Sequence, residues 1–567
     1  MTESYADVDA GLTASGQPFE IETSVVRGVP TRCWKCTPKS LAEVLERGRA
    51  AGGDRTFIVL GDERLTHEAH YKQVVAFAGR LAGELGVAKG DRVAIAMRNY
   101  PEWSIAFFAA TMLGAVAVPL NAFWTGGELA FGITDSGARV LIADGERLER
   151  LAPHTAELGD ITIVGTRLDD RRGDGQLPPD IIPFASLIRG GPGVAPQDAV
   201  DPDDDATIFY TSGTTGHPKG VLGTHRNICT NLVNLMYVGA RNARRAATPP
   251  AARTATPPVV LVPVPLFHAT GCHSILVAQA LFGGTLVFMR KWDPEDALDL
   301  IEREGVTAFS GVPAMVWDLI NSPTLPRRDL SRVTNIGGGG AAAPPELGRR
   351  VAARLPGRGL GTGYGLTESS SMITSISGDD LSRHPDSVGV AVPVCEVRIV
   401  DEDGTDVRSG ERGEIWVRGP NIVPGYWHRP ADTAATFTDG WLHTGDIGRV
   451  DHEGLVYIVD RAKDIIIRGG ENVSSIEVEA VLYDHPDVAE AAVFPIPHPV
   501  LGEEVGAVIR LQAGSTPDSD ELIAFVRDRI AAFKVPSRVW FTAEPLPRNP
   551  AGKVLKRDLR AHFNGQG

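Results

Sequence analysis

The sequence predicts an α/β protein with a large multi-layer N-terminal domain of mixed sheets and helices and a small α+β C-terminal domain. Three observations carry this. The chain has 567 residues, beyond the size at which a single hydrophobic core stops growing. Its first two thirds alternate amphipathic helical stretches with short apolar runs, the rhythm of α/β layers. After Asp460 a second, compact alternation begins. The expected division is a disordered leader over 1–30, a large domain over 31–461 and a small lid domain over 462–567.

Along the chain, "RVAIAM" at Arg92–Met97, "GAVAVPL" at Gly114–Leu120 and "ARVLIAD" at Ala138–Asp144 read as buried strands between helices. "ATIFY" at Ala206–Tyr210 reads as a strand, and "THRNICTNLVNL" at Thr224–Leu235 as a helix, because Ile228, Leu232 and Leu235 share one face. "VVLVPVPLFH" at Val259–His268, "TLVFM" at Thr285–Met289 and "VTAFSGVP" at Val306–Pro313 continue the layers. Between them, Ala240–Pro258 carries "ATPP" twice among Ala and Arg and reads as a surface loop. In the last hundred residues, "SSIEVEAVLYDHPDVAEAAVFPI", "GAVIRLQ" and "DSDELIAFVRDRIAAF" read as helix, strand, strand and helix.

Composition excludes several classes. A net charge of -15 without an extended basic stripe argues against a nucleic-acid partner. The N-terminus lacks the basic and apolar regions of a secretory signal. The longest uncharged segment, "SIAFFAATMLGAVAVPLNAFWTGG", is interrupted by Gly114, Pro119 and Asn121. Its apolar part falls short of the roughly 20 residues of a membrane span, so it reads as a buried helix running into a strand. Peripheral membrane contact stays open. Five cysteines, an odd number, point to reduced thiols and a cytoplasmic location. Cys33 and Cys36 form a C-x-x-C without a second ligand pair, so no zinc site is expected. Oligomeric state is open, with a homodimer one possibility.

The chemistry concentrates in "YTSGTTGHPKG", Tyr210–Gly220. Glycines let backbone N–H groups approach an anion, while hydroxyls and one lysine complete a phosphate cradle. A Walker A loop needs glycines five apart; Gly213 and Gly216 are three apart, so that pattern fails. Seven further motifs follow in order: "PLFHATG" (Pro265–Gly271), "GGGAAAPPEL" (Gly338–Leu347), "GYGLTES" (Gly363–Ser369), "GEIWVRGP" (Gly413–Pro420), "GWLHTGD" (Gly440–Asp446), "DRAKDIIIRGGENV" (Asp460–Val473) and "NPAGKVLKR" (Asn549–Arg557). The set resembles the acyl-activating, adenylate-forming superfamily of acyl-CoA synthetases and adenylation domains.

That resemblance implies ATP, Mg2+ and coenzyme A as cofactors and a small carboxylic acid as substrate, activated as an acyl-adenylate and passed to a thiol. A carboxylate approaching a triphosphate meets like-charge repulsion, so charge neutralisation and positioning dominate the catalytic problem. By resemblance, Thr211, Ser212, Gly213, Thr214, Thr215, Gly216 and Lys219 cover the phosphates. Glu368 holds the metal, with Thr211, and Thr367 sits beside it. Gly339, Gly340, Ala341, Gly363, Tyr364 and Gly365 frame the adenine. Asp446 and Arg461 meet the ribose. Lys463 lies at the hinge of the small C-terminal domain, which the resemblance implies is mobile, and Gly469 and Gly470 lie beside the pantetheine channel. Lys553 reaches the carboxylate and α-phosphate, with Lys556 and Arg557 as sequence decoys. Many relatives have Tyr-Pro after "GENV", where this chain has Ser474 and Ser475.

Lys553, Glu368, Thr367 and His268 form the expected catalytic set. Amino-acid-activating relatives carry an aspartate at the position of His268, so an ammonium substrate would lack its counter-ion here. Phe267, Ala269, Met315, Gly337 and Met372 are the expected pocket residues, apolar or small. They suit a fatty, alicyclic or aromatic acid, with a medium- or long-chain fatty acid the leading expectation. Loading of a carrier protein in place of coenzyme A is the alternative, and a catalytically silent nucleotide-binding protein the third reading.

Overall fold

The computed structural model describes residues 3–170, 177–178, 180–189, 200–211, 218–246, 257–339, 345–461, 464–469, 471–549 and 552–563. Among these residues the strands form four larger sheets and one two-stranded hairpin.

Two large sheets share a core. The first runs, edge to edge, through Gly425–Tyr426, Lys219–Thr224, Asp205–Thr211, Val116–Pro119, Arg92–Ala96, Val140–Asp144, Thr162–Thr166 and Ile182–Pro183. The second is centred on parallel strands Val259–Val262, Ala308–Gly311, Asn335–Gly338 and Gly359–Tyr364. Between the sheets lies the helix Pro101–Met112, in which every residue but Glu102 is buried. Its apolar character on all sides is the composition of a core helix and not of a membrane span. No helix among the described residues is long and apolar enough to cross a membrane. The expected buried helix and strand therefore form, and so do the strands anticipated at Arg92, Val140, Val259, Thr285 and Ala308.

A third sheet, Glu396–Val400, Gly413–Arg418, Trp441–Val450 and Val456–Arg461, closes one side. From Ile466 onward the chain builds a fourth sheet around the long antiparallel pair Val488–His498 and Gly502–Leu511, flanked by helices Ser475–Tyr483 and Ser519–Arg527. Its apolar cluster, Ile466, Val478, Leu482, Val493, Val505 and Leu522 among others, contains residues of this segment alone. The helix, strand, strand, helix order is the one anticipated.

Three expectations need correction. The leader expected to be disordered over 1–30 is ordered where it is described: Tyr5–Thr13 is helical, and Ile21–Val26 pairs with Val29–Trp34. Order comes from partners distant in sequence. The Tyr5 hydroxyl donates to Asp380 at 2.7 Å, Arg245 stacks over the Tyr5 ring at 3.7 Å and pairs with Asp380 at 2.8 Å, and Tyr237 donates to Asp9. The helix expected to end near Leu235 continues to Arg245, so Ala240–Arg245 is not a loop; 247–256 lie outside the described residues. Finally, the motif at Tyr210–Gly220 does not join a strand to a helix. It links antiparallel strands Asp205–Thr211 and Lys219–Thr224, with Thr211 opposite Lys219, and the helix begins only after Thr224 caps it. The motif therefore joins two strands of one sheet, and 212–217 between them lie outside the described residues.

Candidate active site

Parallel strands of an open sheet deliver ligands to their carboxyl ends. Here Asn335–Gly338 and Gly359–Tyr364 end at a cavity of about 3160 Å³ between the large domain and the C-terminal segment. Thr211, Lys219, His268, Gly339, Gly363, Tyr364, Gly365, Thr367, Glu368, Asp446, Arg461 and Lys553 all line it. Ser212, Gly213, Thr214, Thr215, Gly216, Gly340, Ala341, Lys463 and Gly470 lie outside the described residues. Gly469 is not in the cavity wall; its N–H donates to the Leu501 carbonyl at 2.9 Å.

On one side, Glu368 sits on a single helical turn, Thr367–Ser369. Burial raises its pKa, against which the Tyr426 hydroxyl donates to its Oε1 at 2.9 Å. The same Tyr426 ring lies 5.4 Å from the Lys219 ammonium, which pairs with Asp432 at 2.6 Å. Tyr426 thus joins the cradle lysine to the acidic turn. Glu368, Thr367 and Thr211 offer hard oxygen donors, and among the described residues no group of three or more His, Cys, Asp or Glu is placed to hold a metal ion. Such a set suits Mg2+, which takes one or two carboxylates and fills its shell with phosphate and water oxygens.

On another side, the Tyr364 hydroxyl donates to Asp446 Oδ2 at 2.6 Å, and Arg461 Nε approaches Asp446 Oδ1 at 3.1 Å. Asp446 is only 3% exposed and strapped from both oxygens, so its carboxylate is held in one orientation. The tyrosine ring is anchored through its hydroxyl. Gly365 is obligatory here: a Cβ would lie 1.3 Å from the Ser371 carbonyl oxygen.

Lys553 arrives from the small domain. Asn549 braces its turn, accepting from the Lys553 N–H at 2.9 Å and donating its own N–H to the Lys553 carbonyl at 2.8 Å. Gly552, at φ +78°, packs the turn so tightly on Val312 of the large domain that a Cβ would meet Val312 Cγ2 at 2.4 Å. Lys556, the decoy, is committed elsewhere: it pairs with Glu479 at 2.7 Å and donates to Ser475 at 2.7 Å. The Ser474–Ser475 departure also has a role. Ser474 caps the helix Ser475–Tyr483, and the Ser475 N–H and hydroxyl both donate to Asp460 Oδ2, at 2.6 and 2.9 Å.

Of the residues expected to receive the acid, Phe267, His268, Ala269, Gly337 and Met372 line the cavity, whereas Met315 is buried in the core and is not among its lining residues. Burial holds the His268 pKa at about 4, so its imidazole is neutral at neutral pH. Polar groups unforeseen from the sequence share this wall. Asn231 Nδ2 donates to Ser274 Oγ at 3.3 Å, and Ser274 donates to Ser371 Oγ at 2.7 Å, with Ser274 and Ser371 both facing the cavity. Ser274 lies on a π-helical segment, Thr270–Leu276, the kind of irregularity that re-aims side chains at functional sites.

Comparison with known proteins fits this geometry. Residues 45–427 match the AMP-binding enzyme family, and 477–553 match the AMP-binding enzyme C-terminal domain. The chain belongs to the AMP-binding enzyme family. A feruloyl-CoA synthase of Amycolatopsis sp is 37% identical over 506 residues, 89% of this chain and 95% of that protein. A long-chain-fatty-acid–CoA ligase of Bacillus subtilis (strain 168) is 33% identical over 92% of this chain and 94% of its own. Among solved structures, an anthranilate CoA ligase in complex with anthranoyl-AMP superposes with a TM-score of 0.82 at 25% identity, covering 92% of this chain and 97% of that one. Within this AMP-binding enzyme, sequence reasoning missed Tyr426, Asn231, Ser274 and Ser371. The "PGYW" run following "GEIWVRGPNIV" is a signal that could have drawn attention to Tyr426; the buried polar residues are ordinary in sequence and acquire meaning only through the contact.

Proposed function

We propose that the protein is an AMP-forming acyl-CoA ligase whose preferred acid is aromatic and carries a polar ring substituent. Family membership supports the adenylate chemistry with ATP, Mg2+ and coenzyme A. The observation that carries the acid class is the hydroxyl pair Ser274 and Ser371 in an otherwise apolar wall. Asn231 donates to Ser274 and Ser274 to Ser371, so the Ser371 hydroxyl has its own proton to offer into the pocket. A hydroxyl covered by an alkyl chain would lose its water and gain nothing, whereas a phenolic or similar oxygen satisfies it. The similarity to a feruloyl-CoA synthase supports the same class.

In this reading Lys219 and the hydroxyl- and glycine-rich residues before it hold the phosphates, and Glu368 with Thr211 and Thr367 holds the metal. When bound, the metal neutralises phosphate charge. Tyr364 stacks on adenine while Asp446 receives the ribose hydroxyls. Lys553 contributes its charge where the carboxylate meets the α-phosphate. His268, neutral, offers one ring nitrogen as a hydrogen-bonding partner near the acid. Rotation of the small domain about Lys463 then admits the thiol of coenzyme A.

A fatty acid is the second reading, favoured by the small side chains Ala269 and Gly337 in the wall. A panel of straight-chain acids and hydroxylated, methoxylated and unsubstituted cinnamates, assayed with ATP and coenzyme A, separates them. The expected result is the highest kcat/KM for a ring bearing an oxygen substituent, reduced by Ser371→Ala. A series that climbs steadily with alkyl length, about fourfold per methylene as burial of 0.8 kcal/mol each would give, would overturn the aromatic assignment. Turnover only with a carrier protein bearing a free pantetheine thiol would replace coenzyme A as acceptor.

A further inference from the structure

We propose that Asn231 and Asn421 are positioning residues that make the turn Ser369–Met372 one rigid link between the acidic residue Glu368 and the wall of the acid pocket. This rests on the assignment of Glu368 to the metal-bound nucleotide.

The turn is strained. Ser370 and Ser371 have φ of 54° and 112°, values that L side chains rarely adopt. Such a conformation persists only where the surroundings over-determine it. Here they do so from two separate elements. Asn421, fully buried in the stretch after Gly413–Arg418, donates both amide hydrogens to the turn, to the Ser369 and Met372 carbonyls at 3.0 Å each. Its Oδ1 accepts from the Cys395 thiol at 3.0 Å, which fixes which way the amide faces. Asn231, fully buried on the helix His225–Arg245, accepts from the Met372 N–H at 3.1 Å and donates to Ser274, the partner of Ser371. Neither asparagine lines the cavity.

The turn begins at the residue after Glu368, and it ends with Ser371 and Met372 in the pocket wall. Its N-terminal side is pinned as well, since the Val423 N–H donates to the Glu368 carbonyl at 2.9 Å. Losing the Asn421 donors would leave two carbonyls without partners and release the strain. Glu368 and the pocket wall would then shift together, because no flexible residue separates them.

The test uses the full-length enzyme. Binding of ATP with Mg2+ is measured by calorimetry without any acid, and the KM for the best acid of the panel is measured separately, alongside Tm. Asn421→Asp keeps the shape and removes both donors. It is expected to weaken Mg–ATP binding and to raise the acid KM together, each on the order of tenfold. Asn231→Asp, which keeps the acceptor for Met372 and loses the donor to Ser274, should shift both severalfold. It carries the proposal alone if the first variant does not fold. The double variant should be no weaker than the stronger single, because both act on one turn. The proposal is overturned if one constant moves without the other, or if only Tm and the active fraction fall while both constants hold. The Mg–ATP arm contains no acid, so a wrong acid class cannot masquerade as failure here.

Discussion

Lys553 and Glu368 are the side chains on which the proposed chemistry turns, and their surroundings predict opposite signatures. Lys553 is delivered by a braced turn from the small domain. Replacement by alanine should abolish ATP–pyrophosphate exchange and leave thioester formation from a supplied acyl-adenylate largely intact; equal loss in both assays would remove the lysine from its assigned role. Glu368 is raised in pKa by burial, so the folded protein without nucleotide holds this proton more tightly than the unfolded chain does. That preference contributes stability at acid pH, and the contribution is lost as pH rises through the raised value. Glu368→Gln should therefore raise Tm at neutral pH, have little effect in acid, and abolish the further rise that Mg–ATP gives the native enzyme. An unchanged ligand-induced rise in the variant would place the metal elsewhere.

Among the elements, the docking of the small domain is the one most open to a direct test. Gly552 at φ +78° both needs glycine's freedom and touches Val312. Gly552→Ala should slow adenylation by tenfold or more, on the basis of about 1–2 kcal/mol of left-handed strain together with the clash. Adding Val312→Ala should restore part of the loss, and a double variant as slow as the single would show that the contact is irrelevant. How far the sequence exposed this architecture depended on what held each element. Strands such as Val140–Asp144 and the helix Ser475–Tyr483 were legible because their apolar spacing is local. The strand Lys219–Thr224 was not, since four of its six residues are Lys, Thr and two Gly, and it is strand only by pairing with Asp205–Thr211 and Tyr426. The N-terminal helix was hidden for the same reason, with Asp380 and Tyr237 as its partners. At the site, motif residues such as Tyr364 and Asp446 were legible individually, yet their mutual hydrogen bond was not; Met315 was misplaced because a buried methionine reads alike in a core and in a pocket.

At the scale of the whole molecule, four histidines are held neutral by burial: His70 at a pKa of about 3, and His225, His268 and His273 at about 4. Each is depressed below its unfolded value near 6.5, so its contribution to stability is complete above that pH and is lost as pH falls towards 4. Each adds a slope of up to about 1.4 kcal/mol per pH unit in that window. Denaturant midpoints measured from pH 7.5 to 5 should fall steeply, and His70→Gln should flatten the curve; a flat native profile would show that the imidazoles are charged when folded. One last consequence follows from the N-terminal helix. Through Tyr5 and Asp9 it ties the helix His225–Arg245 to the segment around Asp380, and Leu235, Val238, Gly239, Asp379 and Leu381 of those two elements line the cavity. The segment precedes the stretch that matches the family, and it bears none of the catalytic residues. Substitutions in these few residues can therefore act on the cavity wall while every motif stays intact.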